Sequence, residues 1–224
     1  APVMQELDLS LTDRMLDGIE SEMLFVRSLS YFYLLRIWKD VPLVLTPTIS
    51  DTVDFYMPKS TEKEVIKQIK SDLKRASGKA WTQEFIGDRA SYKGRANKYA
   101  IQSLLADVLL WNEEYEECIT YCDSIIDTGI FALESNSDWF DLYYPGNSYV
   151  ESIFEIQYDD DLEQQENPMF SNGLLGSLQI NLSLIPYEED EDIRYCNGNG
   201  PLWKYAGRDE PGLGSRQRRS SERD

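Results

Sequence analysis

Leu16, Ile19, Met23, Val26, Leu29, Tyr33 and Ile37 recur at three- and four-residue intervals, the period of one face of an α-helix. The spacing predicts a single amphipathic helix over about residues 11 to 38, with this set as its apolar stripe. Pro42 helps to end it, because a proline pushes the preceding residue out of the helical region. Residues 43 to 59 hold Pro47 and Pro58 and no helical period, so they read as an extended surface loop. Thr61 and Glu64 have capping-box spacing. Val65, Ile66, Ile69 and Leu73 then supply the stripe of a second helix that ends near Gly78.

A third helix is predicted over about 95 to 112 from Ile101, Leu104, Leu105, Val108 and Leu109. After the short Asn112-Glu113-Glu114 turn a fourth begins near Tyr115, carries Cys118, Ile119, Cys122, Ile125 and Ile126, and stops before Gly129. Two such helices and a tight turn make an αα-hairpin. Ala106 and Cys118 are small residues where tetratricopeptide helices cross closely, and Tyr115 holds the aromatic position after the turn. One degenerate copy cannot bury its own face, so the helices at 11 to 38 and 60 to 77 are expected to stack beside it.

Past residue 130 the pattern changes. Residues 135 to 148 are rich in Trp, Tyr, Asp, Asn and Gly, and Ile153, Phe154 and Ile156 make a short strand candidate. The rest is loop-like, with helix signals only near Leu174 to Leu184. The expected fold is mainly α, a tetratricopeptide-like helical scaffold over 1–134 with a loop-rich, ligand-facing portion over 135–224 and a few short strands.

A formal charge of −18 argues against nucleic acid, whose binding draws on clustered Lys and Arg. It favours neutral or cationic ligands. The basic group Arg216, Arg218, Arg219 and Arg223 lies in a Ser- and Arg-rich tail without apolar periodicity. No apolar run reaches the roughly 20 residues of a membrane-spanning helix, and the first residues lack a signal-peptide pattern. Histidine is absent, which removes His-dependent triads and metal sites from this stretch. Cys118 and Cys122 share a helix face but are poorly held for a disulfide, and are expected to be reduced and buried. Cys196 has no evident partner.

Glycoside cleavage needs two carboxylates at a set separation. The acids instead fall in runs, Asp159-Asp160-Asp161 and Glu188-Glu189-Asp190-Glu191-Asp192, which read as solvated surface rather than a catalytic pair or a Ca²⁺ site. No phosphate loop, Ser elbow or Cys-x-x-Cys pair occurs, so no catalytic residue, cofactor or metal is assigned. Aromatics are more informative. A sugar ring presents apolar C–H faces and polar rims, and suits a flat Trp or Tyr beside Asn, Asp, Gln or Arg. Three loop clusters qualify: Phe55 with Tyr56; Trp81 with Gln83 and Phe85; and Trp139, Phe140, Tyr143, Tyr144 and Tyr149 with Asn136, Asp138 and Asn147. The candidate ligand-binding residues are Trp139, Tyr143, Tyr144, Asn147 and Trp81. Each of these aromatics can alternatively pack its loop onto the helices.

Four stretches occur in an order that resembles the SusD/RagB family of surface nutrient-binding lipoproteins. The first is the aromatic helix and its Asp-Val-Pro stop, from Val26 through Tyr31-Phe32-Tyr33 and Trp38-Lys39-Asp40-Val41-Pro42 to Val44. The second is Gly94-Arg95-Ala96-Asn97-Lys98-Tyr99-Ala100 opening a helix to the Leu-rich run at 104–110. The third is Glu151-Ser152-Ile153-Phe154-Glu155-Ile156-Gln157. The last is Asp192-Ile193-Arg194 followed by Leu202-Trp203-Lys204-Tyr205. The resemblance covers roughly residues 20 to 205.

It implies a non-enzymatic lipoprotein on the outer face of the outer membrane of a Bacteroidota-type bacterium. Such a protein caps a TonB-dependent SusC-like transporter and delivers oligosaccharides to it. It also implies a lipidated cysteine and further helices ahead of residue 1, as the only membrane attachment, and more helical sequence beyond residue 224. In family terms Tyr31, Phe32, Tyr33 and Trp38 are core or inter-helix packing, and Trp203, Lys204 and Tyr205 are structural. Binding residues vary within the family, so none transfers by motif. Two alternatives stay open: a peptide-binding RagB-like receptor, and a tetratricopeptide module for a protein partner. An enzyme of helical glycosidase type ranks last.

Overall fold

The computed structural model describes residues 12–47, 56–81, 93–135 and 150–156. The chain divides into two compact units, Ala1–Leu133 with Pro145–Ile156, and Glu134–Tyr144 with Gln157–Asp224; nearly all the described residues belong to the first. It holds four described helices: α1 (Asp13–Trp38), α2 (Glu62–Ser77), α3 (Lys98–Trp111) and α4 (Tyr115–Ile126). Each packs on the next in chain order, and α1 also touches α3.

Helix ends follow capping chemistry. Thr12 Oγ1 accepts from the Met15 amide at the start of α1. At α2 the full capping box forms: the Thr61 amide donates to Glu64 Oε2 at 2.8 Å and the Glu64 amide returns to Thr61 Oγ1. Asn97 Oδ1 accepts from the Tyr99 and Ala100 amides, both at 2.9 Å, at the start of α3. Helix α1 closes before the proline is reached. Lys39 adopts φ 60°, and its amide donates to Leu35 O at 2.8 Å.

The core runs through all four helices. Val65, Ile66, Ile69 and Leu73 of α2 and Ile101, Leu104, Leu105, Val108 and Leu109 of α3 are all buried, the stripes that the period predicts. Ala106 and Cys118 enter the same core, as a close α3–α4 crossing requires. In α4 only Cys118 and Ile125 are fully buried. Ile119 and Ile126 are exposed, and Cys122 is half-buried rather than buried, although both thiols are free as expected. Partial burial and the neighbouring Cys118 raise the Cys122 thiol pKa.

Helix α1 reverses the expectation. Its buried face is Gly18, Ser21, Leu24, Phe25, Ser28, Phe32 and Leu35, with Leu16. Of the predicted stripe, Met23, Val26, Tyr33 and Ile37 are exposed, and so is Trp38. Phe32 alone of the four expected packing aromatics is fully buried, while Tyr31 is half-buried against the core. The reason is that α1 is apolar on two faces, and the face with small residues lets α2 come close. Ser21 Oγ donates to Ala76 O at 2.9 Å, so a small side chain bonds the α2 backbone directly. Arg27 then grips Asp72 of α2 with two bonds of 2.8 and 2.9 Å, and Gln68 donates to the same carboxylate.

The strand expected near 153–156 does not form. Among the described residues, β pairing is limited to the isolated bridges Val41–Ser60 and Trp81–Asn97. Residues 150–156 instead run as coil, held by Asn97 Nδ2 to Ile153 O at 3.2 Å, Glu155 N to Lys93 O at 3.0 Å, and Phe154 edge-on to Phe25 at 5.1 Å.

Candidate functional site

Of the five predicted ligand residues, only Trp81 lies within the described residues. It is 4% exposed. Its indole lies against Gly18 so closely that a Cβ there would overlap the ring, and the Arg95 guanidinium sits 5.6 Å from the ring centroid. As placed, the ring joins α1 to the start of α3 and offers no open face to a ligand. Trp139, Tyr143, Tyr144 and Asn147 lie outside the described residues. So do Phe55, Gln83, Phe85, Asn136, Asp138, Phe140, Tyr149 and the acidic runs 159–161 and 188–192. Cys196, the 174–184 helix signal, the 192–194 and 202–205 stretches and the basic tail fall outside as well.

Backbone bonds among the described residues flank two stretches that carry candidate aromatics, 48–55 and 136–149. At one, the Ala132 amide donates to Val150 O at 2.9 Å, so the chain leaves and re-enters beside itself around residues 133–149. Phe131 packs edge-on to Tyr99 of α3 at 5.3 Å, and Asn97 secures Ile153. Asn97 is 1% exposed, and its one amide side chain both starts α3 and ties down the coil at Ile153.

The other base joins the end of α1 to the start of α2. The Ser60 amide donates to Val41 O at 3.0 Å, and the Glu62 amide to Asp40 Oδ1 at 3.0 Å. The Tyr31 hydroxyl accepts from the Val44 amide at 2.7 Å and donates to Val44 O at 3.2 Å. The sequence reading missed Asp40 and Tyr31 as anchors. Its one available signal was an acid placed directly before Val-Pro at the helix end, since an Asp free of the helix can reach the amides of the next one.

Charge is laid out as inter-helix pairs. Lys70 meets Glu114 at 2.5 Å, Lys74 meets Glu117 at 2.7 Å, Lys79 meets Asp17 and Glu20 at 2.7 and 2.6 Å, and Arg95 meets Glu22 at 2.5 Å. The Lys79 hydrogen bond holds the Glu20 carboxyl below its ordinary range, with Arg75 adding to it. Lys70, then Asn112, does the same for Glu114. The hydrogen bond to Glu117 raises Lys74. These groups are paired across packed helices, which is the pattern of a brace rather than of an acid–base pair poised for chemistry. No group of three or more Cys, Asp or Glu among the described residues could hold a metal ion. No described helix is long and apolar enough to cross a membrane.

The described residues thus form a stack of antiparallel helices braced by ion pairs and closed by backbone bonds at Val41–Ser60 and Ala132–Val150. Known proteins share this sequence and fold. A SusD-like family model, described as starch-binding associating with outer membrane, matches residues 3–110. A SusD-like protein of Formosa agariphila is 25% identical over 160 residues, 71% of this chain and 28% of that protein. A SusD superfamily protein of Bacteroides thetaiotaomicron is 30% identical with a TM-score of 0.57, covering 66% of this chain and 36% of that one. The fold is also that of a SusD-like carbohydrate-binding protein of Bacteroides fragilis, with a TM-score of 0.58 at 23% identity over 67% of this chain and 29% of that one. The chain is thus similar to SusD-like proteins in sequence over residues 3–110 and in fold. It spans less than a third of the length of its curated relatives.

Proposed function

We propose that this chain is the scaffold portion of a non-catalytic, outer-membrane-associated protein that binds oligosaccharides or polysaccharides at the cell surface. In this reading it hands them to a SusC-like TonB-dependent transporter and is held to the membrane by a lipid anchor. The observation that carries the reading is the match of residues 3–110 to a family described as starch-binding and associating with outer membrane. A packed helical stack whose chain is tied between Ala132 and Val150, either side of the aromatic and polar stretch 136–149, is consistent with it.

We assign the ligand surface to that loop, with Trp139, Tyr143 or Tyr144 as stacking platform and Asn147 as hydrogen-bonder. Stacking suits a loop aromatic whose base is already ordered, because less entropy is lost on binding. Trp81, by its burial, is assigned to packing.

The test is binding of the complete protein to a printed array of neutral oligosaccharides, followed by titration calorimetry with the glycan bound best. Trp139→Ala or Tyr144→Ala should weaken binding by a hot-spot-sized ~1–2 kcal/mol or more, with the ligand recovered uncleaved. Retention of short peptides but no glycan would replace the reading with a peptide receptor.

A further inference from the structure

We propose that the outer face of α1 is a docking seam for a second copy of this chain, whose own α1 packs against it antiparallel. The inference is independent of which ligand the protein binds.

The spacing of the exposed residues points to a helix as what covers them. Ile19, Met23, Val26, Ser30, Tyr33 and Ile37 follow one another at intervals of four, three, four, three and four. That is a strict repeat of 3.5 residues, which keeps a stripe facing a neighbouring helix over several turns. A face that only meets water needs no such regularity. Met23, Val26, Tyr33 and Ile37 are each more than half exposed; Ser30 is exposed and Ile19 half-buried. Ser30, the one polar member, donates its hydroxyl to Val26 O at 2.8 Å, so covering it strands no donor.

Charge selects the partner and its direction. Between Asp13 and Glu22 the helix carries four acids, Asp13, Asp17, Glu20 and Glu22, against the single base Arg14. Between Met23 and Lys39 it carries Arg27, Arg36 and Lys39 and no acid. A second α1 laid antiparallel sets each acidic half beside a basic one, whereas a parallel one sets like charge on like. Arg95 holds Glu22, and Asp107 lies 4.0 Å from Arg36 within the same chain, so these charges fix direction more than strength.

The register follows from the repeat. With the two-fold axis level with Ser28, Met23 faces the partner's Tyr33, Val26 the partner's Ser30, and Ile19 the partner's Ile37. A thioether suits an aromatic ring, and the small Ser30 leaves room for a valine. Glu22 meets the partner's Arg36 along one edge of the seam. Arg27 meets the partner's Arg27 along the other, each already bound twice by its own Asp72. A face that matches itself under two-fold rotation is that of a C2 dimer.

Residues 19 to 37 span about 27 Å of helix. One helix pair of that length buries less than the roughly 800 Å² per partner of a standard interface, and a charge of −18 on each copy adds repulsion. The seam is therefore weak, closing at roughly 10–100 μM. At lower concentrations it is open, and substitutions on it leave Tm unchanged.

The test is sedimentation velocity of the 224-residue chain in about 0.15 M salt, from about 1 to about 500 μM. Wild type should pass from monomer to dimer across that range. Val26→Lys should stay monomeric throughout, with the Tm of wild type at about 1 μM, and Val26→Leu should dimerise within about threefold of wild type. Met23→Lys and Tyr33→Glu should each weaken the dimer about tenfold or more. Their combination should recover most of that loss, because in the antiparallel register each introduced lysine faces the partner's introduced glutamate. A wild-type chain that stays monomeric overturns the inference, and so does a dimer that Val26→Lys leaves intact. Failure of the combined variant to recover overturns the antiparallel register. A monomer in which Val26→Lys lowers Tm by several degrees overturns the inference as well, by giving the seam to a segment of the same chain.

Discussion

The two apolar faces of α1 have nearly the same hydrophobic period and opposite fates. One carries Gly18, Ser21, Phe25, Ser28, Phe32 and Leu35 and is buried; the other carries Met23, Val26, Tyr33 and Ile37 and is exposed. The exposed face is the more uniformly apolar of the two. What separates them is the alternation of very small and very large side chains on the buried face. Gly18 accepts the indole of Trp81, and Ser21 brings α1 within hydrogen-bonding distance of the α2 backbone at Ala76. Shape complementarity, rather than summed hydrophobicity, selected the packed face.

The largest expected effect tests that claim on the buried side. Phe32 is 1% exposed and meets Trp111 edge-on at 6.2 Å. Phe32→Ala should destabilise by about 3–5 kcal/mol through lost burial and a cavity. The adjacent Tyr33→Ala, on the exposed face, should cost no more than about 0.5 kcal/mol. Urea unfolding of both variants gives the two numbers, and equal costs would erase the distinction between the faces.

Next in size is the joint between α1 and α2. The Asp72 side chain is 6% exposed and Arg27 31%. Arg27→Met leaves a buried carboxylate with only Gln68 as side-chain donor, which should cost about 3 kcal/mol. The double variant Arg27→Met with Asp72→Leu should recover most of that loss. If the single variant were neutral, the pair would count as a surface bridge and the close seam would rest on apolar packing alone.

Helix α2 was legible in the sequence because it has a single apolar stripe bordered by charge, so period and burial coincide, and α3 because its apolar residues are dense enough that the buried set Ile101, Leu104, Leu105, Val108 and Leu109 falls within them. The Thr61–Glu64 capping box was legible for a related reason: both partners lie within one turn. The face of α1 was not legible, since hydrophobic periodicity ranks Met23 above Ser21 and cannot see that α2 needs a shallow surface. The strand expected near Phe154 failed in the same way. Alternating apolar residues announce burial on one side, but they do not supply a neighbouring strand, and Asn97 and Lys93 take the backbone bonds instead. Trp81 reads identically in sequence as a loop platform or as packing, and Gly18, far away in the chain, decides where it sits. The SusD-like resemblance was legible in the stretches at 26–44 and 94–110, which lie within the residues that the family model matches. The anchors Asp40 and Tyr31 were not, because each acts on backbone groups that the fold alone brings within reach.

A smaller effect is set by pH. Glu20 and Glu114 have carboxyl pKa values below the ordinary 4.5, held down first by hydrogen bonds from Lys79 and Lys70. A carboxylate whose folded pKa is depressed contributes stability that is present above its unfolded value and lost as pH falls through the folded one. Wild-type stability should therefore decline as pH drops below about 4.5. The deficit of Lys79→Met relative to wild type should be full at pH 7 and shrink across that acid range. Denaturant melts at several pH values check it, and a deficit independent of pH would assign Lys79 a packing role only.

The smallest expected effect is on the outer face of α1, and it is the sharpest test of the comparison. Met23 and Ile37 are 59% and 63% exposed, so a lysine at either place trades exposed apolar surface for a solvated ammonium and buries no charge. Helix propensity does not oppose the change, since Lys ranks with Met and ahead of Ile. In the 224-residue chain, Met23→Lys and Ile37→Lys should each leave stability within about 0.5 kcal/mol of wild type, while solubility improves as the apolar stripe is interrupted. Leu35→Lys, two residues from Ile37 but on the packed face, should abolish cooperative folding, because an unpaired ammonium would enter the core. Thermal melts of the three variants side by side read the difference directly. A fall of several degrees in Met23→Lys or Ile37→Lys would mean that the outer stripe carries packing in this chain, and that side-chain size did not decide which face of α1 was buried.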